Sequence, residues 1–296
     1  MSLMSAQTQW PRPAVVLEVL HPITWFAPMW AFACGVISSG AAVDPVRLIA
    51  GIVLTGPLVC AASQAVNDWY DRDVDAINEP DRPIPSGRLP GRWGLYVAIA
   101  WTGLSLIVAM LLGVWGFVAT LIGLALAWAY SAPPFRLKKD GWWGNAAVGA
   151  CYEGLPWFTG AAVMLNALPG TEIIVLAVLY SVGAHGIMTL NDFKSIDGDR
   201  QSGVRSIPAR YGAGPAAWLA CVVMAGAQVA VIACLIVWQM PVTATVVAAL
   251  LLGQVLLMRR LVAAPREKAS WYNATGTTLY VLGMMACAVG LNGVFA

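Results

Sequence analysis

Apolar runs, each near the ~20 residues a helix needs to cross hydrocarbon, alternate with short polar stretches along the whole 296-residue chain. Nine runs reach that length: 22–42, 46–66, 94–112, 115–134, 144–165, 172–190, 214–237, 241–258 and 273–295. The stretch between Arg92 and Arg136 carries no charge and is long enough for two spans, with a turn expected over Gly113 to Gly116. The stretch from Tyr211 to Met258 reads the same way, with Gln239-Met240-Pro241 as its turn. Only helices or closed barrels satisfy the backbone in lipid, and these runs lack the two-residue alternation of barrel strands. The pattern predicts an all-α integral membrane protein, one polytopic domain over 1–296.

Composition agrees. The chain is 59% hydrophobic and 11% charged, with mean hydropathy +0.71, where a soluble domain carries about 25% charged residues. A formal net charge of +2 offers nothing to a nucleic acid or another polyanion. Residues 1–21 are mixed and proline-broken and carry no small-residue cleavage site, so no signal peptide is expected. The six cysteines lie inside apolar runs without a CxxC pair and read as small buried hydrophobes. With the N-terminus placed in the cytoplasm, sixteen of the seventeen Lys and Arg fall in 1–21, 67–93, 135–143, 191–213 and 259–272; only Arg47 does not. The positive-inside rule then puts the N-terminus and these loops on the cytoplasmic side.

One of those loops stands out. NDWYDRDVDAINEPDRPIPSGRL, residues 67–89, holds six carboxylates and three arginines. It has an echo in 191–212: NDFKSIDGD at 191–199 aligns with NDWYDRDVD at 67–75 at an offset of 124, and RSIP (205–208) follows as RPIP (82–85) does. A single acidic loop is ordinarily a solvated, salt-bridged surface; a matched copy on the same face argues for a shared site between the halves of a bundle. If the preceding helix continues, Asn67, Asp71 and Asp75 share one face at i, i+4 and i+8, with Asp68 nearby, and Asn191, Ser195 and Asp199 repeat that spacing. Crowded oxygen ligands suit a hard cation, Mg²⁺ or Ca²⁺. Arg72, Arg82, Arg88, Lys138, Lys194, Arg200 and Arg205 suit phosphate oxygens. Metal plus base around a diphosphate is the economical reading.

At these residues the chain resembles the UbiA superfamily of intramembrane prenyltransferases: nine spans, N-D-x-x-D-x-x-x-D after the second, and an aspartate loop after the sixth. YSAPPFRLKK (130–139) is similar to that family's fourth-span exit, which gives Tyr130, Arg136 and Lys138 a diphosphate role. The resemblance implies a bundle with a central cavity at lipid depth, an isoprenoid diphosphate bound through Mg²⁺, and transfer of the prenyl group to an acceptor. YEGLPWFTG, HGIMTLNDFK and GDRQSGVRSIPARYG are similar to the chlorophyll synthase branch, its bacteriochlorophyll synthases in particular, which esterify the propionate of a chlorophyllide-type macrocycle with a geranylgeranyl or phytyl chain. That branch implies a bacterial inner or photosynthetic membrane and neighbouring pigment-biosynthesis or assembly proteins as partners. The broad family often has aspartate where this chain has Ser195, so Asp192, Asp197 or a water would complete the second loop's shell.

Two Mg²⁺ would offset about −3 on a diphosphate, as Lewis acid and template. The expected metal ligands are Asn67, Asp68, Asp71, Asp75, Asp192 and Asp199. Asp71, Asp75, Asp199, Arg72 and Lys138 are the expected catalytic set, with Arg72, Lys138 and Arg205 stabilising the departing pyrophosphate. An apolar chamber would keep water from the allylic cation, and the fourteen tryptophans suit either a flat macrocycle and cation–π contacts or a plain interfacial belt. A carboxylate acceptor is ionised at pH 7 and needs no base, whereas an aromatic-carbon acceptor does; the residues leave both open. Glu153 and His185 lie inside spans and are candidate acceptor contacts, His185 as a ligand to a chlorin magnesium, with a satisfied structural carboxyl and a hydrogen-bonded bundle histidine as the plainer readings. His21 is interfacial. Two other classes fit less well. A CDP-alcohol phosphotransferase needs an Asp-Gly…Ala-Arg…Gly…Asp motif that this sequence lacks, and a cation transporter needs polar groups along a path at mid-bilayer depth.

Overall fold

The computed structural model describes residues 10–293. Fourteen α-helices follow in order: α1 Pro13–Val19, α2 Phe26–Ser38, α3 Pro45–Val53, α4 Ala61–Asn78, α5 Trp93–Leu111, α6 Val114–Ser131, α7 Gly141–Gly149, α8 Leu155–Leu165, α9 Thr171–Asn191, α10 Ile196–Ser202, α11 Ile207–Tyr211, α12 Ala213–Val237, α13 Pro241–Ala263 and α14 Pro265–Leu291. No strand occurs among the described residues. Residues 1–9 of the expected N-terminal segment, and 294–295 of the ninth run, lie outside them.

Several elements join end to end. A π-helical turn, Leu54–Cys60, links α3 to α4 without a break. It contains Pro57, which has no N–H to donate, and the wider turn absorbs that loss. A second π turn, Ala150–Gly154, joins α7 to α8. Seven helical runs are long and apolar enough to span a membrane, and an eighth counts if α1 and the Pro22–Ser38 run, bent by 48°, form one span. The expected nine are therefore not met on length and apolarity. The run over 141–165 is helical throughout but falls short, because Gly141, Gly144, Asn145, Glu153 and Pro156 dilute its apolar content.

The bundle packs α9 on α12, α13 on α14, α2 on α8 and α7 on α9. Small residues permit the closest crossing, as is usual where helices meet in lipid. A Cβ on Gly35 would stand 2.0 Å from the Trp157 carbonyl oxygen, and one on Gly160 2.1 Å from that of Phe32. Fully buried Trp157 donates its indole N–H to Ser38 Oγ at 3.0 Å. Gln228 and Gln254, both fully buried, exchange amide hydrogen bonds of 3.0 and 2.8 Å between α12 and α13. Each amide thereby satisfies the other in a setting where an unpaired one is costly.

Candidate active site

α4 stays helical to Asn78, so the first acidic stretch is helix rather than loop. Asn67, Asp71 and Asp75 accordingly share a face and line one cleft. Across it stand Asp192, in a 3₁₀ turn after α9, and Asp199 of α10. The two acidic segments meet at one end of the bundle, as the repeat implied. Tyr130, Arg136 and Lys138 complete the cleft, an open space of about 1110 Å³.

Each carboxylate is held. Asn67 Nδ2 donates to Asp71 Oδ2 at 3.0 Å and to Ser131 Oγ at 3.2 Å. Asp71 pairs with Lys138 and, at 3.6 Å, with Arg136. Burial pushes the Lys138 pKa below lysine's usual value, and the facing Asp71 carboxylate opposes that. Asp75 receives Arg82 Nη1 at 3.1 Å. Asp199 Oδ2 accepts hydrogen bonds from Ser195, at 3.0 Å, and from Ser206. Asn145 Nδ2 lies 3.2 Å from Thr189 Oγ1 and 3.5 Å from Asp192 Oδ2.

A backbone strap aligns the walls. Arg205 N–H donates to the Lys139 carbonyl at 2.9 Å, and Gly141 N–H donates to the Arg205 carbonyl at 3.0 Å. It ties the turn bearing Lys138 to the segment bearing Ser206. Gly141 is required at this approach, since a Cβ there would lie 2.6 Å from the Ile207 nitrogen.

The lining carries four carboxylates (Asp71, Asp75, Asp192, Asp199) against three cations (Arg136, Lys138, Lys139). That excess of carboxylates disfavours a diphosphate unless a cation offsets it. Among the described residues, no three His, Cys, Asp or Glu are grouped to hold a metal by themselves. That donor set fits Mg²⁺, which uses one or two carboxylates, keeps waters and completes its shell with substrate phosphate.

Behind the cleft lies a larger chamber of about 1680 Å³ that shares Asn67 and Tyr130 with it. His21, Arg82 and Lys194 are at its polar edge; Phe26, Leu126, Val148, Ile187 and Met188 give apolar walls. A narrow apolar slot continues inward past Tyr152, whose hydroxyl accepts from Gln64 Nε2 at 2.9 Å. A polar cleft thus opens through a mixed chamber into the apolar interior.

Other expected site residues stand elsewhere. Asp68 turns away from the cleft into a buried pair with His21 (3.0 Å) and Arg82 (3.2 Å). Asp68, Asp75 and Glu79 together raise the Arg82 pKa, although burial works the other way. Arg72 lies over the Trp69 ring at 4.4 Å and donates to the Trp69 carbonyl at 2.7 Å. Arg88 grips Glu18 with both nitrogens, at 2.6 and 2.7 Å. Arg200 donates to the Ala209 carbonyl at 3.1 Å, and exposed Arg205 pairs with Asp140 at 3.7 Å. None of these four arginines lines the cleft or the chamber. Glu153 is buried in its π turn against α2 and α9 and lines no described cavity. His185 lines a different, apolar groove. The sequence reading missed Asn145, Lys139 and Ser206. Asn145 was detectable as a lone amide in an apolar run; Ser206 and Lys139 reach the cleft only through the strap.

The model of the UbiA prenyltransferase family matches residues 26–294. The chain belongs to the UbiA prenyltransferase family. It is 57% identical to the bacteriochlorophyll synthase 33 kDa chain of Cereibacter sphaeroides over 96% of this chain and 94% of that protein. It is 36% identical to the chloroplastic chlorophyll synthase of Oryza sativa subsp. japonica over 92% of this chain and 75% of that one. The solved structure of a UbiA homolog from Archaeoglobus fulgidus bound to GPP and Mg²⁺ superposes with a TM-score of 0.69 at 20% identity, covering 90% of this chain and 99% of that one. That likeness establishes the UbiA fold. The cleft and the chamber behind it are therefore cavities of a prenyltransferase bundle.

Proposed function

We propose that this UbiA prenyltransferase transfers a geranylgeranyl or phytyl chain from its diphosphate to the propionate carboxylate of a bacteriochlorophyllide, with Mg²⁺. The observation that carries the acceptor is the 57% identity, nearly end to end, with a bacteriochlorophyll synthase chain. The binding of GPP and Mg²⁺ by the Archaeoglobus homolog supports the donor and the metal. Asn67, Asp71 and Asp75 on one wall, with Asp192 and Asp199 on the other, are the metal-holding groups, and their split between two walls favours two ions. When bound, Mg²⁺ neutralises the diphosphate and eases its departure. Lys138, Arg136 and Lys139 receive the developing charge, and Tyr130 lies where the cleft meets the chamber. The chamber's apolar walls keep water from the allylic carbon. Lys194 at its polar edge is placed for the acceptor's carboxylate, which is already ionised and needs no base. Segregation of sixteen of seventeen Lys and Arg supports cytoplasmic aspartate ends, and the likeness to a bacterial bacteriochlorophyll synthase chain supports a bacterial inner membrane.

The 36% identity to a chlorophyll synthase favours one second reading, the same chemistry on chlorophyllide. Membranes containing the protein, supplied with Mg²⁺ and geranylgeranyl diphosphate, separate the two: esterification of bacteriochlorophyllide at least about tenfold faster than of chlorophyllide is expected, a difference of about 1.4 kcal/mol in the barrier. The reverse preference selects the second reading, and no esterified pigment from either acceptor removes both.

A further inference from the structure

α9 separates two spaces. Ile187, Met188 and Asn191 face the reaction chamber, while Ile174, Val178, Val182 and His185 face a second groove of about 1080 Å³ walled across from them by α7, the following π turn and α8. α7 divides the same way, with Gly141, Gly144 and Asn145 toward the aspartate cleft and Trp142 and Ala146 toward the groove. Val178 and Val182 are more than half exposed, so the groove opens sideways to lipid.

We infer that this groove holds a magnesium tetrapyrrole, with His185 as the axial ligand to its metal. His185 is 8% exposed, and neither ring nitrogen has a hydrogen-bond partner among the described residues. An imidazole left unpaired in an apolar wall costs stability unless it serves an electrophile. A lipid chain offers none. The metal of a flat apolar macrocycle does, and neutral imidazole is a common metal ligand. Trp142 lies against the imidazole, ring centroids 5.4 Å apart and planes at 37°, its N–H donating to the Tyr211 hydroxyl at 3.4 Å, and its exposed ring offers a flat surface to a macrocycle. Asp140, which accepts the Trp142 backbone N–H at 3.0 Å, also pairs with Arg205 and Arg210, at 3.7 and 3.9 Å. Two guanidinium charges against one carboxylate beside Trp142 leave one for a free propionate, which favours the acid awaiting esterification. An apolar pocket with a few fixed polar groups is the usual make-up of a small-molecule site. The inference rests on the proposed function, which supplies the macrocycle class; the site itself is separate from the reaction cavity.

The test uses the full chain purified in lipid nanodiscs. The probes are a zinc chlorin with one free propionic acid and its metal-free counterpart, titrated without prenyl diphosphate. The wild type is expected to bind the zinc chlorin with the absorption shift of imidazole ligation. His185→Phe is expected to lose that shift and to bind the zinc form about tenfold more weakly, while binding of the metal-free form stays within about twofold and the unfolding midpoint within a few degrees. Val182→Trp, one turn before His185, fills the groove while keeping the imidazole and is expected to weaken both forms, and it carries the test if His185→Phe does not fold. An unchanged ligation shift in His185→Phe, or unchanged zinc-chlorin binding in Val182→Trp, overturns the inference. A parallel esterification assay on the wild type separates the two proposals: esterified pigment with no His185-dependent shift removes the groove alone, and a His185-dependent shift with no esterified pigment removes the proposed function alone.

Discussion

Lys138, in the turn between α6 and α7, forms an ion pair with Asp71 of α4 across the aspartate cleft. Both residues line the cleft proposed to take the diphosphate, and only 11% of the Lys138 side chain is exposed. Lys138→Met should lower kcat/KM for the prenyl diphosphate by about 10²-fold, the scale of losing one fixed electrostatic donor. Lys138→Arg should recover part of it. Steady-state kinetics at saturating Mg²⁺ gives the readout, and a methionine variant with wild-type kcat/KM would remove Lys138 from the site.

Asp71→Asn and Asp75→Asn should each lower turnover by at least about 10³-fold, because metal stabilisation of several kcal/mol is lost. Circular dichroism and thermal unfolding should stay near wild type, since Asp71 is only partly buried and asparagine at 75 keeps an oxygen that can accept from Arg82. Chelation with EDTA should abolish wild-type turnover, and added Mg²⁺ should restore it. Activity surviving chelation would count against the metal assignment.

Ser195 donates to Asp199 at 3.0 Å, in the position where the wider family often carries aspartate. Ser195→Asp places a second carboxylate there and should lower the Mg²⁺ concentration needed for half-maximal rate, since like charges so close are relieved by a cation between them. It should still retain at least about tenfold more activity than Asp199→Asn, a gap of about 1.4 kcal/mol. The opposite ranking would mean that the second acidic segment does not ligate metal.

The arginines divide by placement. Arg136 lines the cleft, whereas Arg88 is held outside it by Glu18. Arg136→Ala should raise KM for the prenyl diphosphate by about tenfold, in line with loss of one charge-assisted contact. Arg88→Ala should change it far less, as expected for an exposed ion pair. Equal effects would place the diphosphate nearer the 79–92 segment.

Gly35→Ala should destabilise the bundle by about 1–3 kcal/mol or more, because its Cβ meets the Trp157 carbonyl at 2.0 Å and the crossing must open. A lower unfolding midpoint in nanodiscs checks this. An unchanged midpoint would show that α2 and α8 can part freely.

Much of the site was legible from helical periodicity. The i, i+4, i+8 spacing of Asn67, Asp71 and Asp75 on a continuing helix is what α4 displays. The echo at 191–199 brought Asp192 and Asp199 to the same cleft. Partner choice was not legible. Asp68 shares Arg82 with Asp75, but it is drawn into burial by His21, 47 residues earlier in the chain. Arg72 and Arg88 carry the right charge and are spent on Trp69 and Glu18. Ser206 and Lys139 enter only because backbone atoms join two distant turns. His185 required the phase of α9, which sets it on the opposite face from Asn191 although six residues separate them.

The strap between Lys139 and Arg205 consists of main-chain atoms alone. It is blind to what those two residues carry outward. Electric charge at the mouth can therefore be retuned at 139 and 205 while the opposed acids keep their register. Proline at 205 is the exception, since it removes the N–H that the latch needs.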